Sequence, residues 1–287
     1  MKKVNMESHT YTFRNTHFKS VSLIITTYNQ ERRLQMVLDS VLNLACLPSE
    51  VLIADDGSGP KTKDLVESYQ LLFAQKNLPL KHVWQEDLGF RAAKSRNNAI
   101  KEATSEYIIT IDTDIILSSM FIADHMHFAH PGVLAQGTRL TLDSTESNQL
   151  LERGDFRLAY AKKSLKNFRC LPLARLVAWR MRTAKVLEDA QVWRNGIGWV
   201  RSANMGFSKA DFNAIEGFNE EYIGWGGEDG EFVMRFLFNG GRVQKLRFCA
   251  LAYHIYHPEN SRHNLHTNHL ITIRTLLGKK ISWKDPP

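Results

Sequence analysis

Short apolar runs that stop abruptly at small polar or acidic residues alternate with amphipathic stretches along residues 21–117. The run from Tyr107 has the β-branched and aromatic character of a strand buried on both faces, Val21–Thr27 reads as a buried strand, and Glu50–Ala54 and Leu80–Trp84 read as further strands. Between them, Gln30–Leu44 repeats Leu34, Val37, Leu38, Val41 and Leu42 at helical spacing. Lys61–Gln75 and Leu88–Ala103 read as two further helices, the second carrying Arg91, Lys94, Arg96 and Asn97. Strand–helix alternation of this kind predicts an α/β domain with a mainly parallel, doubly wound sheet. Farther on, Val133–Leu142, Ser202–Phe207 and Arg247–Tyr253 read as strands, and an amphipathic helix with Phe232, Val233, Phe236 and Leu237 starts near Glu228. Residues 1–20 are aperiodic and read as an arm, and 279–287 as a tail.

The candidate chemistry sits where the strands stop. Thr26–Asn29, Asp55–Ser58 and Asp112–Asp114 end adjacent predicted strands, and parallel pairing would bring them to one edge, where α/β sheets bind ligands. Asp112-Thr113-Asp114 can offer oxygens to one divalent cation, which could then hold a diphosphate. The same residues also suit an Asx turn. Asp55 or Asp56 can accept from a pyrimidine N–H and a ribose hydroxyl, although DDGSG also reads as a plain glycine turn. No G-x-G-x-x-G follows a strand and no G-x-x-x-x-G-K-[ST] occurs, so dinucleotide and P-loop readings lack their main support. Gly224-Trp225-Gly226-Gly227-Glu228-Asp229 surrounds an indole suited to a sugar ring with glycines that admit a close ligand. Acidic residues at a helix start also suit the helix dipole. A carboxylate at 229 can in addition remove a proton from an acceptor hydroxyl.

Composition adds a location. In 287 residues, 43% hydrophobic and 23% charged, the apolar runs are too short to span a bilayer. Cys46, Cys170 and Cys249 make neither a disulfide framework nor a zinc cluster, so a cytosolic protein is expected. The net charge of +7 points to an anionic partner. Residues 161–185 concentrate it: Lys162, Lys163, Lys166, Arg169, Arg175, Arg180, Arg182 and Lys185 stand without an acidic neighbour among Leu, Phe and Trp. Pro172 is expected to split the stretch into two short helices. An interfacial segment on an anionic membrane surface is the expected role. No nucleic-acid motif accompanies the charge, and no nucleic-acid partner is expected.

TTYN after the first strand, DDGS after the second, LGFRAAKSRNNAI and the strand ending in DTD together resemble the family 2 nucleotide-sugar glycosyltransferases of GT-A (Rossmann-like) fold, over Val21–Leu117. The resemblance implies that Thr26, Tyr28 and Asp56 contact the uridine of a UDP-sugar, within a donor site that also takes in Asn29, Asp55, Arg91 and Thr113. It implies further that Arg96 helps hold the donor and that Asp112 and Asp114 bind Mn²⁺ (or Mg²⁺). GWGGED resembles the acceptor motif of β1,4-galactosyltransferases and bacterial chondroitin polymerase, which implies acceptor contacts from Asn204, Trp225, Gly226 and Gly227. Retaining polypeptide N-acetylgalactosaminyltransferases have Asn where this chain has Asp229. The carboxylate therefore points to inversion, with Asp229 as base and Glu228 positioning sugar hydroxyls. Relatives complete the metal site with a His, here His254 first and His257 second.

The implied protein is a single GT-A domain: an arm (1–20), a nucleotide-sugar half (21–117), an acceptor half (118–278) with the basic insertion 161–185, and a tail. It would move a sugar to a saccharide or glycolipid acceptor in bacterial polysaccharide or lipopolysaccharide synthesis, peripherally on the cytoplasmic face of the inner membrane. The competing classes are a sugar-nucleotide nucleotidyltransferase, identified by pyrophosphate release, and a non-catalytic saccharide-binding module.

Overall fold

The computed structural model describes residues 17–183, 200–258 and 263–284. In chain order the elements are β1 (Val21–Thr27), α1 (Glu31–Leu42), β2 (Glu50–Asp55), α2 (Pro60–Ala74), β3 (Leu80–Trp84), α3 (Ala92–Glu102), β4 (Tyr107–Asp112) and β5 (Ile115–Leu117). There follow α4 (Phe121–Phe128), β6 (Val133–Gln136), β7 (Thr138–Thr141), α5 (Ser144–Arg153) and α6 (Leu171–Thr183). The chain continues through β8 (Met205–Ser208), α7 (Lys209–Ala214), α8 (Glu228–Phe238), β9 (Arg242–Lys245), β10 (Leu251–His254) and α9 (Leu265–Gly278). Seven strands form one sheet in the order β3-β2-β1-β4-β8-β6-β9, and β5-β10-β7 form a second. Within the large sheet only β8 runs against its neighbours. This is the mainly parallel α/β architecture that the strand–helix alternation predicts.

Burial on both faces explains the near-continuous apolar strands. Leu23 and Ile25 of β1 join the core beneath α1 and α2, with Val37, Val66 and Phe73. Ile24, between them, points to the other face and packs with Ala99, Ile100 and Phe232. Alternate residues thus enter different cores, and neither face tolerates a polar run.

Several expectations need correcting. Val133–Leu142 is two strands in two sheets, because Gly137 lets the chain pass Asn204: a Cβ there would lie 2.2 Å from the Asn204 Oδ1. Arg247–Tyr253 is strand only from Leu251, since Phe248 and Ala250 adopt positive φ and turn the chain from β9 into β10. Pro172 occupies the first turn of α6, where its missing N–H would have had no helical partner, so it opens one helix instead of dividing two. Phe18, expected in a loose arm, is buried with its ring 5.3 Å from Tyr107; residues 1–16 lie outside the described residues. Two cations of the basic stretch turn inward. Lys162 Nζ meets Glu146 at 2.7 Å, and Arg169 grips the fully buried Asp124 through Nε and Nη2. Lys185 and the side chains of Trp179, Arg180, Met181 and Arg182 lie outside what is described.

Candidate active site

Strand register aligns the three motif ends. Thr26 pairs with Asp112 across β1 and β4, and Thr27 pairs with Asp55 across β1 and β2. The Thr113 N–H donates to the Thr26 carbonyl at 2.9 Å, extending that alignment one residue past the strand. The carboxyl ends of β2, β1 and β4 therefore form one acidic edge.

Arg96, on α3 and almost wholly buried, ties this edge to the second acidic motif. Its Nε donates to Thr26 Oγ1 at 3.1 Å and its Nη2 to Asp112 Oδ1 at 3.1 Å. Its Nη1 lies 3.3 Å from Glu228 Oε1 and 3.9 Å from Asp229 Oδ1. Glu228 and Asp229 open α8, so one guanidinium bridges motifs more than a hundred residues apart. Burial, reinforced by Asp229 and opposed by Arg96, pushes the Glu228 carboxyl up to about 7. Asp229 Oδ1 is buried and accepts no hydrogen bond, its nearest cation being Arg96 Nη1 at 3.9 Å.

Asp114 belongs to a different cluster. Its Oδ2 lies 3.3 Å from His254 Nε2 and 2.9 Å from His257 Nε2. Although burial opposes ionisation, the hydrogen bonds from His254 and His257 hold its carboxyl well below the usual carboxylate range. The three ligand atoms fall within 4.8 Å of one another. The His257 Nδ1 faces the Pro258 carbonyl at 2.7 Å; a proton held there would leave Nε2 able to exchange its own proton, now shared with Asp114, for a metal. Two imidazoles and a carboxylate suit a first-row divalent ion such as Mn²⁺. Asp112, expected in the same ligand set, is instead held by Arg96 and lies outside this cluster, whereas His257 joins it.

The GWGG loop is shaped from below. Gly226 and Gly227 take φ near +104° and +103°, and a Cβ on Gly227 would come within 2.8 Å of the Tyr222 ring. Asn268 of α9, itself buried, donates to the Ile223 and Gly226 carbonyls at 3.2 and 3.0 Å. The Gly224 N–H donates to the Phe90 carbonyl at 2.9 Å, which joins the loop to the segment preceding α3. Trp225 is partly exposed on this loop.

The remaining expected site residues divide into edge and framework. Tyr28 is exposed beside the edge, its hydroxyl donating to Asp87 at 2.9 Å. Asp56 is buried and accepts from Gln85 Nε2 and the Arg91 N–H, both at 2.6 Å. Burial raises its carboxyl pKa against those two bonds. The Arg91 backbone thus fixes Asp56, while its side chain donates to the Glu86 carbonyl. Asn29, in the left-handed region, ties the end of β1 to the loop after β2, its side chain accepting from the Gly59 N–H and its own N–H donating to Ser58 Oγ. Thr113 Oγ1 is buried without a hydrogen-bond partner. Asp55 is fully buried and bonded to the Ser58 N–H and His82, so its side chain holds the turn and does not face the cleft. Asn204 is likewise interior: His125, the Ala250 carbonyl and the Gly137 turn surround it, and it cannot reach an acceptor. Periodicity had not marked Asn268, Phe90 or Trp84. Trp84 sits opposite Asp55 at the end of β3 with its ring exposed, and an aromatic closing a strand beside two motif ends was its available signal.

The mainly parallel sheet flanked by helices is a GT-A fold, and its edge gathers the D-x-D carboxylates, a buried arginine and a carboxylate–imidazole cluster. The chain belongs to glycosyl transferase family 2, whose family model matches residues 22–172. Residues 189–258 match the model described as N-terminal domain of galactosyltransferase. Validoxylamine A glucosyltransferase of Streptomyces hygroscopicus subsp. limoneus is 28% identical over 230 residues, 77% of this chain and 48% of that protein. Chondroitin synthase of Escherichia coli is 26% identical over 248 residues, 82% of this chain and 34% of that protein. The chain thus spans about half or less of the length of these relatives. S. aureus TarS 1–349, solved with UDP-GlcNAc, superposes with a TM-score of 0.60 at 20% identity, over 90% of this chain and 66% of that one.

Proposed function

We propose that this protein is a metal-dependent, inverting glycosyltransferase that moves a sugar from a UDP-sugar to a hydroxyl of a saccharide or glycolipid acceptor. The observation that carries the reading is the Arg96 bridge, which brings Asp112 of the D-x-D edge and Glu228–Asp229 of the acceptor motif to one guanidinium. The two halves of a transfer site therefore face each other across a single side chain.

In this reading the uridine lies against Tyr28 and Asp56 and the acceptor ring against Trp225. The Asp229 carboxylate takes the proton of the acceptor hydroxyl as its oxygen bonds to the anomeric carbon. The bond from that carbon to the diphosphate breaks, its electron pair leaves on the phosphate oxygen, and attack from the opposite face inverts the configuration. Glu228, held by Arg96, orients sugar hydroxyls. Asp114, His254 and His257 would hold the divalent ion, which when bound supplies positive charge against the diphosphate leaving group. Buried Arg96 places a further cation beside Asp112.

We place this activity in bacterial surface polysaccharide or lipopolysaccharide synthesis, with the protein peripheral on the cytoplasmic face of the inner membrane. Among the described residues, no helix is long and apolar enough to cross a membrane. The test is a thermal-shift screen of UDP-, GDP-, dTDP- and CMP-sugars with and without Mn²⁺, followed by NMR of the product. A rise in melting temperature with a UDP-sugar that needs Mn²⁺, and an inverted anomer, are expected. Donor binding unaffected by EDTA, or a retained anomer, overturns the proposal.

A further inference from the structure

One face of the molecule concentrates positive charge that the cleft does not use. Between Asp155 and Glu188, and again between Glu231 and Glu259, the chain has no acidic residue. The fold brings parts of these two acid-free segments together. The Cys170 N–H donates to the Phe248 carbonyl at 2.9 Å, and the Phe168 and Phe248 rings lie 4.9 Å apart. Burial, together with the charges of Arg247 and Lys166, lowers the pKa of Lys245, so cations from both segments share one field. Lys163, Lys166 and Arg247 are exposed and make no ion pair with a described carboxylate. Leu165, 93% exposed, and Phe168, 45% exposed, stand among them, and Leu176, 51% exposed, lies on α6, which packs against β9. Single exposed leucines are ordinary; three large apolar side chains set among uncompensated cations are the pattern of an interfacial surface.

Strand register locates this face relative to the cleft. Lys245 pairs with Gln136, Gln136 with Met205, and Met205 with Thr110. β9 and β4 run in the same direction, so Lys245 stands level with Thr110, just short of Asp112. Three strand spacings separate them, about 14 Å at ~4.8 Å each. The basic face and the D-x-D motif therefore open on the same edge of the sheet.

We propose that residues 163–168, Leu176 and 245–248 form a shelf that rests on an anionic bilayer and turns the sheet edge carrying the cleft toward the lipid. The shelf combines two distant segments, and Lys162 and Arg169 of the insertion belong to the framework behind it. Acid-free charge complements anionic headgroups, and Leu165 is free to enter the interface without disturbing the core. The contact stands on this surface alone; only the nature of a lipid-linked acceptor rests on the glycosyltransferase reading.

The experiment is sedimentation of the full chain with phosphatidylglycerol or phosphatidylcholine vesicles, at low and raised salt, without donor or acceptor. Wild type should pellet with phosphatidylglycerol, less as salt rises, and not with phosphatidylcholine. The triple variant K163E/K166E/R247E should lower the phosphatidylglycerol partition roughly a hundredfold while keeping the wild-type melting temperature. Leu165→Ala should reduce the part of binding that survives salt. A control triple, K61E/K63E/K76E, makes the same charge change at α2 and the turn after it, beside β3 at the far end of the sheet, and should bind within a fewfold of wild type. Equal loss in both triples means that net charge alone drives binding, and overturns the shelf. Unchanged vesicle binding in the shelf triple overturns it as well, and a raised KM for a soluble acidic saccharide in that variant would assign the cations to the acceptor. UDP release with a soluble acceptor is measured separately, and its absence with vesicle binding intact would count against the glycosyltransferase reading alone.

Discussion

Asp112 and Asp114 stand two residues apart and have opposite surroundings. In a continuing strand they would share a face. Here β4 ends at Asp112 and β5 begins at Ile115, and the intervening turn sends the two carboxylates to different partners. Asp112 meets the Arg96 guanidinium, yet burial, with Asp114 and Asp229 nearby, outweighs it and raises the pKa of this carboxyl. Asp114 meets two imidazoles on the segment after β10, whose hydrogen bonds lower its pKa despite burial. D-x-D is thus two half-sites. One carboxylate faces the Arg96 guanidinium, and the other gathers with two imidazoles in a cluster that could hold a metal ion.

That contrast breaks most visibly at Asp114. Asp114→Asn should abolish Mn²⁺ binding in a calorimetric titration and lower turnover by about a thousandfold. Asp112→Asn should weaken Mn²⁺ binding far less, because its carboxylate is engaged by Arg96. Equal loss of Mn²⁺ from both variants would merge the half-sites into one chelate and end the comparison.

On the Arg96 side the next largest effect belongs to Asp229. Asp229→Asn preserves shape but cannot accept a proton, so kcat should fall roughly a hundredfold with the donor KM nearly unchanged. A matching rise in donor KM would make Asp229 a binding group and remove the base from this half-site.

The two half-sites were not equally legible in the sequence. Apolar strands ending in polar triplets marked the edge, because parallel strands buried on both faces leave few other places for Thr26, Asp56 or Asp112. The amphipathic stripe after Glu228 likewise located α8 and its acidic start. Periodicity could not show that Arg96, on a predicted helix among other basic residues, points inward and joins both motifs. That is a property of helix rotation against the sheet. Nor could it show that Asn204 is interior, since a short strand of small residues carries no sign of which neighbour it passes. β9 was missed because Arg242–Lys245 lies at the edge of the sheet, with Arg242, Val243 and Lys245 only partly buried and no apolar run to announce it.

The metal side sharpens at His257. If two imidazoles serve Asp114, His257→Ala and His254→Ala should each weaken Mn²⁺ binding by about ten- to a hundredfold. A silent His257→Ala would reduce the cluster to one carboxylate and one histidine, and the 2.9 Å contact with Asp114 to a local hydrogen bond.

The smallest effect on turnover is expected at Glu50, a buried carboxylate for which the protein supplies every partner and no ligand is awaited. Ser22 Oγ, the Thr104 N–H and Thr104 Oγ1 donate to its Oε1, and Lys81 Nζ to its Oε2 at 2.8 Å. Burial works against the charge, but Lys81, Thr104 and Ser22 outweigh it and bring the carboxyl down to about 2. A folded-state pKa below the unfolded value stabilises the fold fully above about pH 4.5, and that stabilisation is lost as pH falls toward 2. Lys81 is partly exposed, so solvent screening trims the contribution to about 2 kcal/mol at neutral pH. Glu50→Gln should therefore lower urea stability by about that amount at pH 7, and the gap to wild type should narrow as the pH approaches 3. Sugar transfer by the folded variant should match wild type. Closing a cleft carboxylate's partner set would remove function, whereas opening this one removes only stability. A Glu50→Gln protein that loses transfer while keeping its melting temperature would show that the separation between frame and cleft does not hold.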